Sequence, residues 1–161
     1  MHMAYYSQHH GFGRAFEADL SISLGELMRR IEDPLVEAWA AVEGGTERIV
    51  GTVFVDVLHP RPQGNLAGFE EGGKVGHLRA FIVEEGVRGM GLGRRLLAEA
   101  VRFVDEVGYE ETRLWTFKGL EAARKLYEEF GFEYVDGEIG DRWGEPVFVQ
   151  LFSRKSSGCD C

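Results

Sequence analysis

The chain has 161 residues, of which 44% are hydrophobic and 28% are charged, and its formal net charge is −9. This length predicts one domain that buries roughly 70% of the surface of the unfolded chain. The composition is that of a globular protein without a membrane span, and the acidic balance argues against nucleic acid or an anionic membrane as a partner. The first residues lack the basic and apolar regions of a secretory signal, so the expected compartment is the cytoplasm.

The two cysteines, Cys159 and Cys161, lie in a polar C-terminal stretch. Such a pair excludes a disulfide framework, and we interpret 154–161 as a flexible tail behind a single domain that spans 1–153. A C-x-C pair can also form a metal or redox site. The His9 and His10 pair has no cysteine or carboxylate at ligand spacing, and we predict no metal site.

The first half of the chain predicts a helical segment followed by a β-hairpin. Apolar residues recur at three- and four-residue steps from Phe12 to Ile31, which is typical of one helix or two short ones, and Pro34 ends the segment. Runs at 35–45 and 48–59 are rich in apolar and β-branched residues and flank a Gly-Gly-Thr turn, so they predict a hairpin. The stretch 59–73 is rich in proline and glycine, and we interpret it as a functional flap.

The second half predicts two strand and helix pairs and a final hairpin. Further strands are predicted at 74–83, 112–117, 132–138 and 147–153. A helix begins at Leu92 and ends where Gly108 suits a C-terminal cap, and a second helix ends at Gly131. This order of helices and strands predicts a layered α/β fold with a mixed sheet flanked by helices.

A turn with glycines at alternate positions, Gly89, Gly91 and Gly93, connects the strand 74–83 to the following helix. It is not a dinucleotide fingerprint, because Arg94 stands where the third glycine is required, and it is not a Walker loop, because no lysine and hydroxyl follow. Backbone amides at such a helix start can instead hold a pyrophosphate, with Arg88 and Arg94 at the rim. The alternative is an ordinary strand-to-helix turn with solvated arginines.

The sequence R-G-x-G-x-G at 88–93, between "FIV" and "RRLLAEA", resembles the acyl-CoA-binding motif of the GNAT N-acetyltransferases. The segment "AARKLYEEFGFEYV" at 122–135 is similar to the next signature of that family. More closely, residues 5–152 resemble the acetyltransferase half of proteins that fuse a MarR-type DNA-binding domain to a GNAT domain. Because the DNA-binding half is absent, we expect a stand-alone relative.

The resemblance implies a mixed, mostly antiparallel sheet flanked by helices, with a splayed pair of central strands. It also implies an enzyme that transfers acetyl from acetyl-CoA to a primary amine of a small molecule, such as an amino acid or an analogue, by direct attack and without a metal. A non-catalytic acyl-CoA sensor or scaffold is the alternative. A kinase or hydrolase is disfavoured because its lysine and metal ligands are missing.

The resemblance also implies roles for particular residues. The implied acetyl-CoA-binding residues are Phe81, Ile82, Val83, Arg88, Gly89, Met90, Gly91, Leu92, Gly93 and Arg94. Backbone groups at Phe81 and Val83 would pair with pantetheine, and one of their amides would stabilise the oxyanion. Tyr127 would protonate the departing CoA thiolate.

The acceptor side is less specified by the sequence. Asp56, His59, His77 and Arg79 all lie on predicted strands or loops that border the cleft, and the general base stays open among them. We assign Arg79 to anchoring a substrate carboxylate instead, because a guanidinium suits that geometry. Trp143, in the last hairpin turn, is expected to line the acceptor pocket.

Two features depart from the family pattern. Leu120 stands where many members have an asparagine, so one hydrogen bond to pantetheine is expected to be missing. No strand is recognisable before the first helical segment, which would leave a sheet edge that a partner subunit or the tail could cover. A homodimer is consistent with such an edge.

Overall fold

The computed structural model describes residues 13–58, 74–140 and 146–156. The helices are α1 (Arg14–Arg29), α2 (Leu92–Glu106) and α3 (Glu121–Glu129), and the strands are β1 (Glu37–Val42), β2 (Ile49–Val57), β3 (Val75–Val83), β4 (Glu111–Phe117), β5 (Glu133–Gly140) and β6 (Val147–Lys155). A short 3-10 turn, Glu85–Val87, follows β3. The predicted first hairpin, both strand and helix pairs and the final pair of strands are therefore present.

The strands form one sheet in the order β1-β2-β3-β4-β6-β5. Neighbouring strands are antiparallel except β3 and β4, which are parallel. A parallel pair needs a crossover connection, and α2 supplies it. This confirms the predicted mixed, mostly antiparallel sheet flanked by helices.

Helix α2 packs its apolar face on the centre of the sheet. Leu97, Ala100 and Val104 recur at helical spacing and are fully buried in one cluster with Val53 and Val55 of β2. Each buried valine or leucine of this kind contributes about 1.5–3 kcal/mol relative to an exposed one. The intervening β2 side chains point to the opposite face of the sheet, because successive residues of a strand alternate.

The parallel pair β3 and β4 separates soon after it begins. Its register joins Val75 to Glu111, Gly76 to Thr112 and His77 to Arg113, and no further pair follows within the described strands. Beyond this point β3 stays paired with β2, and β4 stays paired with β6. The sheet therefore opens into a V whose arms are the second half of β3 and the second half of β4, which is the predicted splay.

A β-bulge lies on the β3 arm of the V. Thr52 of β2 pairs with Ile82, and Phe54 pairs with Arg79. Two residue steps along β2 are therefore matched by three residue steps along β3 over this interval. Ala80, inside this interval, has a φ of 51°, and the Thr52 hydroxyl donates a hydrogen bond to its carbonyl oxygen at 2.9 Å. The bulge turns backbone groups of β3 out of the regular ladder and towards the opening.

Strand β6 continues two residues past the predicted domain end at residue 153. Arg154 is 8% exposed, and its guanidinium donates two 2.8 Å hydrogen bonds to the carboxylate of Asp105 at the end of α2. A polar Arg-Lys pair is typical of a tail, but here a bidentate ion pair holds the arginine in the strand. The predicted flap at 59–73 and the cysteine pair lie outside the described residues.

None of the helices in the described ranges is long and apolar enough to span a membrane.

Candidate functional site

An open cleft of about 550 Å³ lies where β3 and β4 separate. One wall is the end of β3 with the glycine turn and the start of α2, and the other is the segment that leads from β4 into α3. The lining residues are Phe81, Ile82, Val83, Val87, Arg88, Gly89, Gly91, Leu92, Gly93, Arg94, Gly119, Leu120, Glu121, Ala122, Ala123 and Leu126. The cleft is therefore built by backbone-rich turns rather than by large polar side chains.

The glycine turn adopts a conformation that other residues rarely reach. Gly89 and Gly91 have φ values of 81° and 75°, and a Cβ placed on either would meet no protein atom within 4 Å. Gly91 is the N-cap of α2 and provides no side chain to cap the helix. The first amides of α2 have no partner within the helix, as at any helix start, and here they face a concave surface. This geometry suits an anion such as a pyrophosphate.

Arginines surround this end of the cleft. Arg88 is exposed and donates from Nε to the Val83 carbonyl oxygen at 3.2 Å. Arg94, on the first turn of α2, pairs with Glu129 of α3 at 2.5 Å, and both side chains are at least half exposed. The first turn of α2 contains no acidic residue. This turn thus combines arginine side chains with the positive end of the helix dipole, in a chain whose net charge is −9.

Tyr127 lies beneath the cleft rather than on its surface. It is 5% exposed, and its ring packs against Phe81 at a centroid distance of 5.7 Å, as well as against Phe132 and Phe152. Phe81 itself lines the cleft next to the bulge. Tyr127 is therefore separated from the middle of the V by the ring of Phe81.

A polar cluster occupies the sheet face opposite α2, beside the apex of the V. The carboxylate of Asp56 is 2% exposed and accepts hydrogen bonds at its Oδ2 from Arg30, at 2.6 Å, and from Arg79, at 2.7 Å. Arg79 also donates to the hydroxyl of Ser23 in α1 at 2.6 Å. The Nδ1 atom of His77 lies 3.8 Å from the other oxygen of Asp56.

Apart from Tyr127, the predicted site residues fall into three groups. All the predicted acetyl-CoA-binding residues except Met90 line the cleft, whereas the Met90 side chain is 76% exposed. Asp56, His77 and Arg79 come together on the opposite sheet face. His59 and Trp143 lie outside the described residues.

Several lining residues were not in the predicted set. Val87 belongs to the 3-10 turn, and the others come from the start of α3 and its approach: Gly119, Leu120, Glu121, Ala122, Ala123 and Leu126. Glycine, alanine and leucine predominate among them, and such side chains do not point to a binding site in the sequence. The position of this helix opposite the glycine turn, which only the sheet order reveals, is what places them in the cleft.

Within the described ranges, no group of three histidine, cysteine, aspartate or glutamate side chains is arranged to hold a metal ion.

Comparison with known sequences gives one family. The model of the family described as "Acetyltransferase (GNAT) family" matches residues 4–132. No curated protein matches the chain.

Solved structures show the same fold. The chain is similar to a ribosomal-protein-alanine N-acetyltransferase from Brucella melitensis, with 22% identity, a TM-score of 0.66 and coverage of 84% of this chain and 78% of that chain. The chain is also similar to NAA60 of Arabidopsis thaliana in complex with acetyl-CoA, with 20% identity, a TM-score of 0.64 and coverage of 83% of this chain and 84% of that chain. A third similar structure is a GNAT family acetyltransferase from Elizabethkingia anophelis with acetyl-CoA bound. It has 16% identity, a TM-score of 0.58 and coverage of 81% of this chain and 82% of that chain. At these identities the likeness establishes the fold alone.

Proposed function

Because the chain belongs to the GNAT acetyltransferase family, we propose that it is an acetyl-CoA-dependent N-acetyltransferase that acts on a primary amine. The observation that carries this proposal is the cleft between the diverging strands. Its glycine turn and helix start are suited to a pyrophosphate, and its bulged strand offers backbone groups to a pantetheine amide chain. Both features are backbone properties, and neither requires a metal.

In the proposed complex, the CoA pyrophosphate lies against the amides of 89–94, and pantetheine runs along the β3 arm as an added strand. The backbone of Phe81 and Val83 would supply its hydrogen bonds, as the edge of a sheet does for a peptide. An amide of the bulge would then donate to the thioester oxygen as it becomes an oxyanion. Such a donor is worth about 3 kcal/mol in other acyl-transfer sites.

The acceptor would approach from the sheet face opposite α2, where Arg79 is the candidate anchor for a carboxylate. Its guanidinium is 16% exposed and lies one residue before Ala80 of the bulge. Attack by the amine forms the C–N bond, and collapse of the tetrahedral intermediate breaks the C–S bond. Tyr127 is the candidate donor of the proton that converts the CoA thiolate to the thiol. An amino acid or an analogue is the acceptor class that this arrangement favours.

The test is release of free CoA thiol from acetyl-CoA in the presence of single L-amino acids, spermidine, a lysine-containing peptide and a peptide with a free N-terminus. We expect amine-dependent release with at least one of these acceptors. Tyr127→Phe should lower kcat by about 10²-fold, because general acid catalysis contributes 10²–10⁴-fold.

Tyr134→Phe is the matched control, since Tyr134 lies on β5, is 47% exposed and also packs against Phe152. This variant should keep the wild-type kcat. Binding of acetyl-CoA without thiol release on any acceptor would contradict the proposal and favour a sensor or scaffold.

Other expectations from the sequence remain predictions. They are the closer relationship to the acetyltransferase half of MarR fusion proteins, the cytoplasmic location, the contribution of Trp143 to the acceptor pocket and the homodimer. For the homodimer, β1 and β5 are the two edge strands of the described sheet.

A further inference from the structure

Removing a proton from the acceptor ammonium is the step for which the proposed mechanism still lacks a group. Of the candidates among the described residues, Arg79 is unsuited because a guanidinium stays protonated. Asp56 is unsuited because two guanidinium groups hold one of its oxygens and the carboxylate is 2% exposed. Paired in this way, a carboxylate is a very weak base.

Glu84 lies at the other end of β3. Its amide donates to the Val50 carbonyl oxygen at 2.8 Å, and its carboxylate pairs with Arg48. It therefore belongs to the outer margin of the sheet near the glycine turn. His77, in contrast, is the last residue of β3 that pairs with β4, and so it marks the apex of the V.

From the geometry of this apex, we infer that His77 is the general base of the proposed reaction and that Asp56 is its positioning residue. The inference rests on the proposed function, whose acceptor it would deprotonate. Asp56 lies 3.8 Å from the Nδ1 atom of His77. A proton on Nδ1 directed at this carboxylate leaves the lone pair on Nε2, which is the atom that accepts the proton of the ammonium.

The packing around His77 fixes the plane of its ring. The imidazole meets the indole of Trp115, on the diverging strand β4, edge to face at a centroid distance of 5.1 Å. The ring is thereby held between Asp56 of β2 and Trp115 of β4, and 12% of the side chain is exposed. An imidazole fixed on two sides in this way is preorganised for proton transfer rather than free to rotate.

The electrostatic surroundings come from every neighbouring element. The charged groups are Arg30 after α1, Asp56 on β2, Arg79 on β3, and Arg113 with Glu111 on β4. Hydrogen bonding from Arg113 is the main reason that the pKa of Glu111 is lowered, so this carboxylate stays ionised. Around the imidazole there are thus three guanidinium groups and two carboxylates.

Arg79 and His77 are two residues apart on the same strand face, which separates them by about 7 Å along the strand. Arg79 lies between His77 and the bulge at Ala80 along β3, so an acceptor whose carboxylate lies at Arg79 has the imidazole on one side and the bulge on the other. The ammonium gives one proton to Nε2, and the neutral amine attacks the thioester carbon. The amide nitrogen loses its second proton to solvent, and the thiolate takes a proton from Tyr127. His77 then returns its proton to solvent, and Tyr127 regains one from solvent.

The experiment is the pH dependence of kcat/KM for wild type and His77→Gln, with the acceptor that gives the fastest thiol release in the panel above. For the wild type we expect a rise of slope one on the acidic side, around the pH where an imidazole titrates, about 6.5, and then a plateau. His77→Gln should be about 10²-fold slower at pH 7. Its kcat/KM should climb without a plateau up to the pKa of the amine, so that the deficit shrinks at high pH.

Two further variants separate catalysis from folding. Tyr109→Phe removes a buried hydrogen bond of 2.5 Å from the tyrosine hydroxyl to the Leu35 carbonyl oxygen. The Tyr109 ring packs beside Gly76, the residue that precedes His77 on β3. It should keep the wild-type pH profile. His77→Glu retains a proton acceptor and should move the acidic limb to lower pH, because carboxylates titrate below imidazoles.

A pH-independent deficit in His77→Gln, or an unchanged acidic limb, would overturn the assignment to His77 while leaving the proposed acetyltransferase intact. Absence of thiol release by the wild type with every acceptor would overturn both. Binding of CoA by each variant, measured by calorimetry, verifies that the cleft is folded, because none of the substituted side chains lines it.

Discussion

Gly91 is the residue at which local conformation and the proposed binding role coincide. Its φ of 75° lies in the left-handed region, and a Cβ there would project into open space at the mouth of the cleft. An L-residue pays about 1–2 kcal/mol for this conformation. In the proposed complex the same Cβ would keep the pyrophosphate away from the first amides of α2.

Gly91→Ala should therefore lower the free energy of unfolding by about 1 kcal/mol and weaken CoA binding by about tenfold, the equivalent of one charge-assisted hydrogen bond. Gly108→Ala is the matched control, because Gly108 also has a φ of 75°, open space around its Cβ position and a place at the other end of α2. It should be equally destabilised and bind CoA normally. Calorimetry and urea unfolding measure both effects, and equal affinities in the two variants would argue against the pyrophosphate position.

At the scale of single elements, the bulge in β3 is the feature that shapes the proposed reaction centre. It places Ala80 at a φ of 51° and is fixed by the hydrogen bond from the Thr52 hydroxyl. An alanine in this conformation is strained, and strain of this kind concentrates at functional sites. The bulge therefore costs stability that the surrounding β2 and β3 pairing must offset.

Ala80→Gly should relieve this strain. Glycine normally weakens a strand by about 0.5–1 kcal/mol relative to alanine, but here the relief of the strain at positive φ should cancel that loss. Ala38→Gly on β1, where the strand is regularly paired with β2, is the control and should show the full loss. Thermal unfolding of both variants provides the comparison, and an equal loss in the two would mean that Ala80 is not strained.

The elements were predicted from sequence to different degrees. Helix α2 could be predicted because its apolar spacing is regular and Gly108 ends it, and the glycine turn could be predicted because its residue types have a clear backbone meaning. The bulge could not, since an alanine carries no signal for a positive φ. The divergence of β3 and β4 was expected only from the family resemblance, because neither strand contains a residue that would prevent continued pairing.

The polar cluster was also predicted only in part, because its contacts join residues that are far apart in the sequence. Asp56 and His77 were recognisable as candidates on adjacent strands, but their contact depends on the β2–β3 register, in which they are direct partners. Arg30 was not predicted at all, because an arginine that follows a helix is usually solvated. Only the packing of α1 against the sheet brings it within 2.6 Å of the carboxylate.

For the whole molecule, the sheet separates two kinds of chemistry on its two faces. On one face α2 and α3 frame the cleft, and on the other face His77 and Arg79 surround the buried carboxylate of Asp56. The V between β3 and β4 is the opening through which the two faces meet. In the proposed reaction the cosubstrate binds on one side and the acceptor on the other, with the bulge between them.

The central claim is that acetyl-CoA lies in this V, and the most direct measurement is a crystal structure of the chain grown with acetyl-CoA. The account predicts pantetheine hydrogen-bonded to the backbone of Phe81 and Val83, the pyrophosphate on the amides of 89–94 and the thioester beside the bulge at Ala80. A CoA bound elsewhere, or β3 and β4 paired along their full length with the cosubstrate excluded, would contradict it.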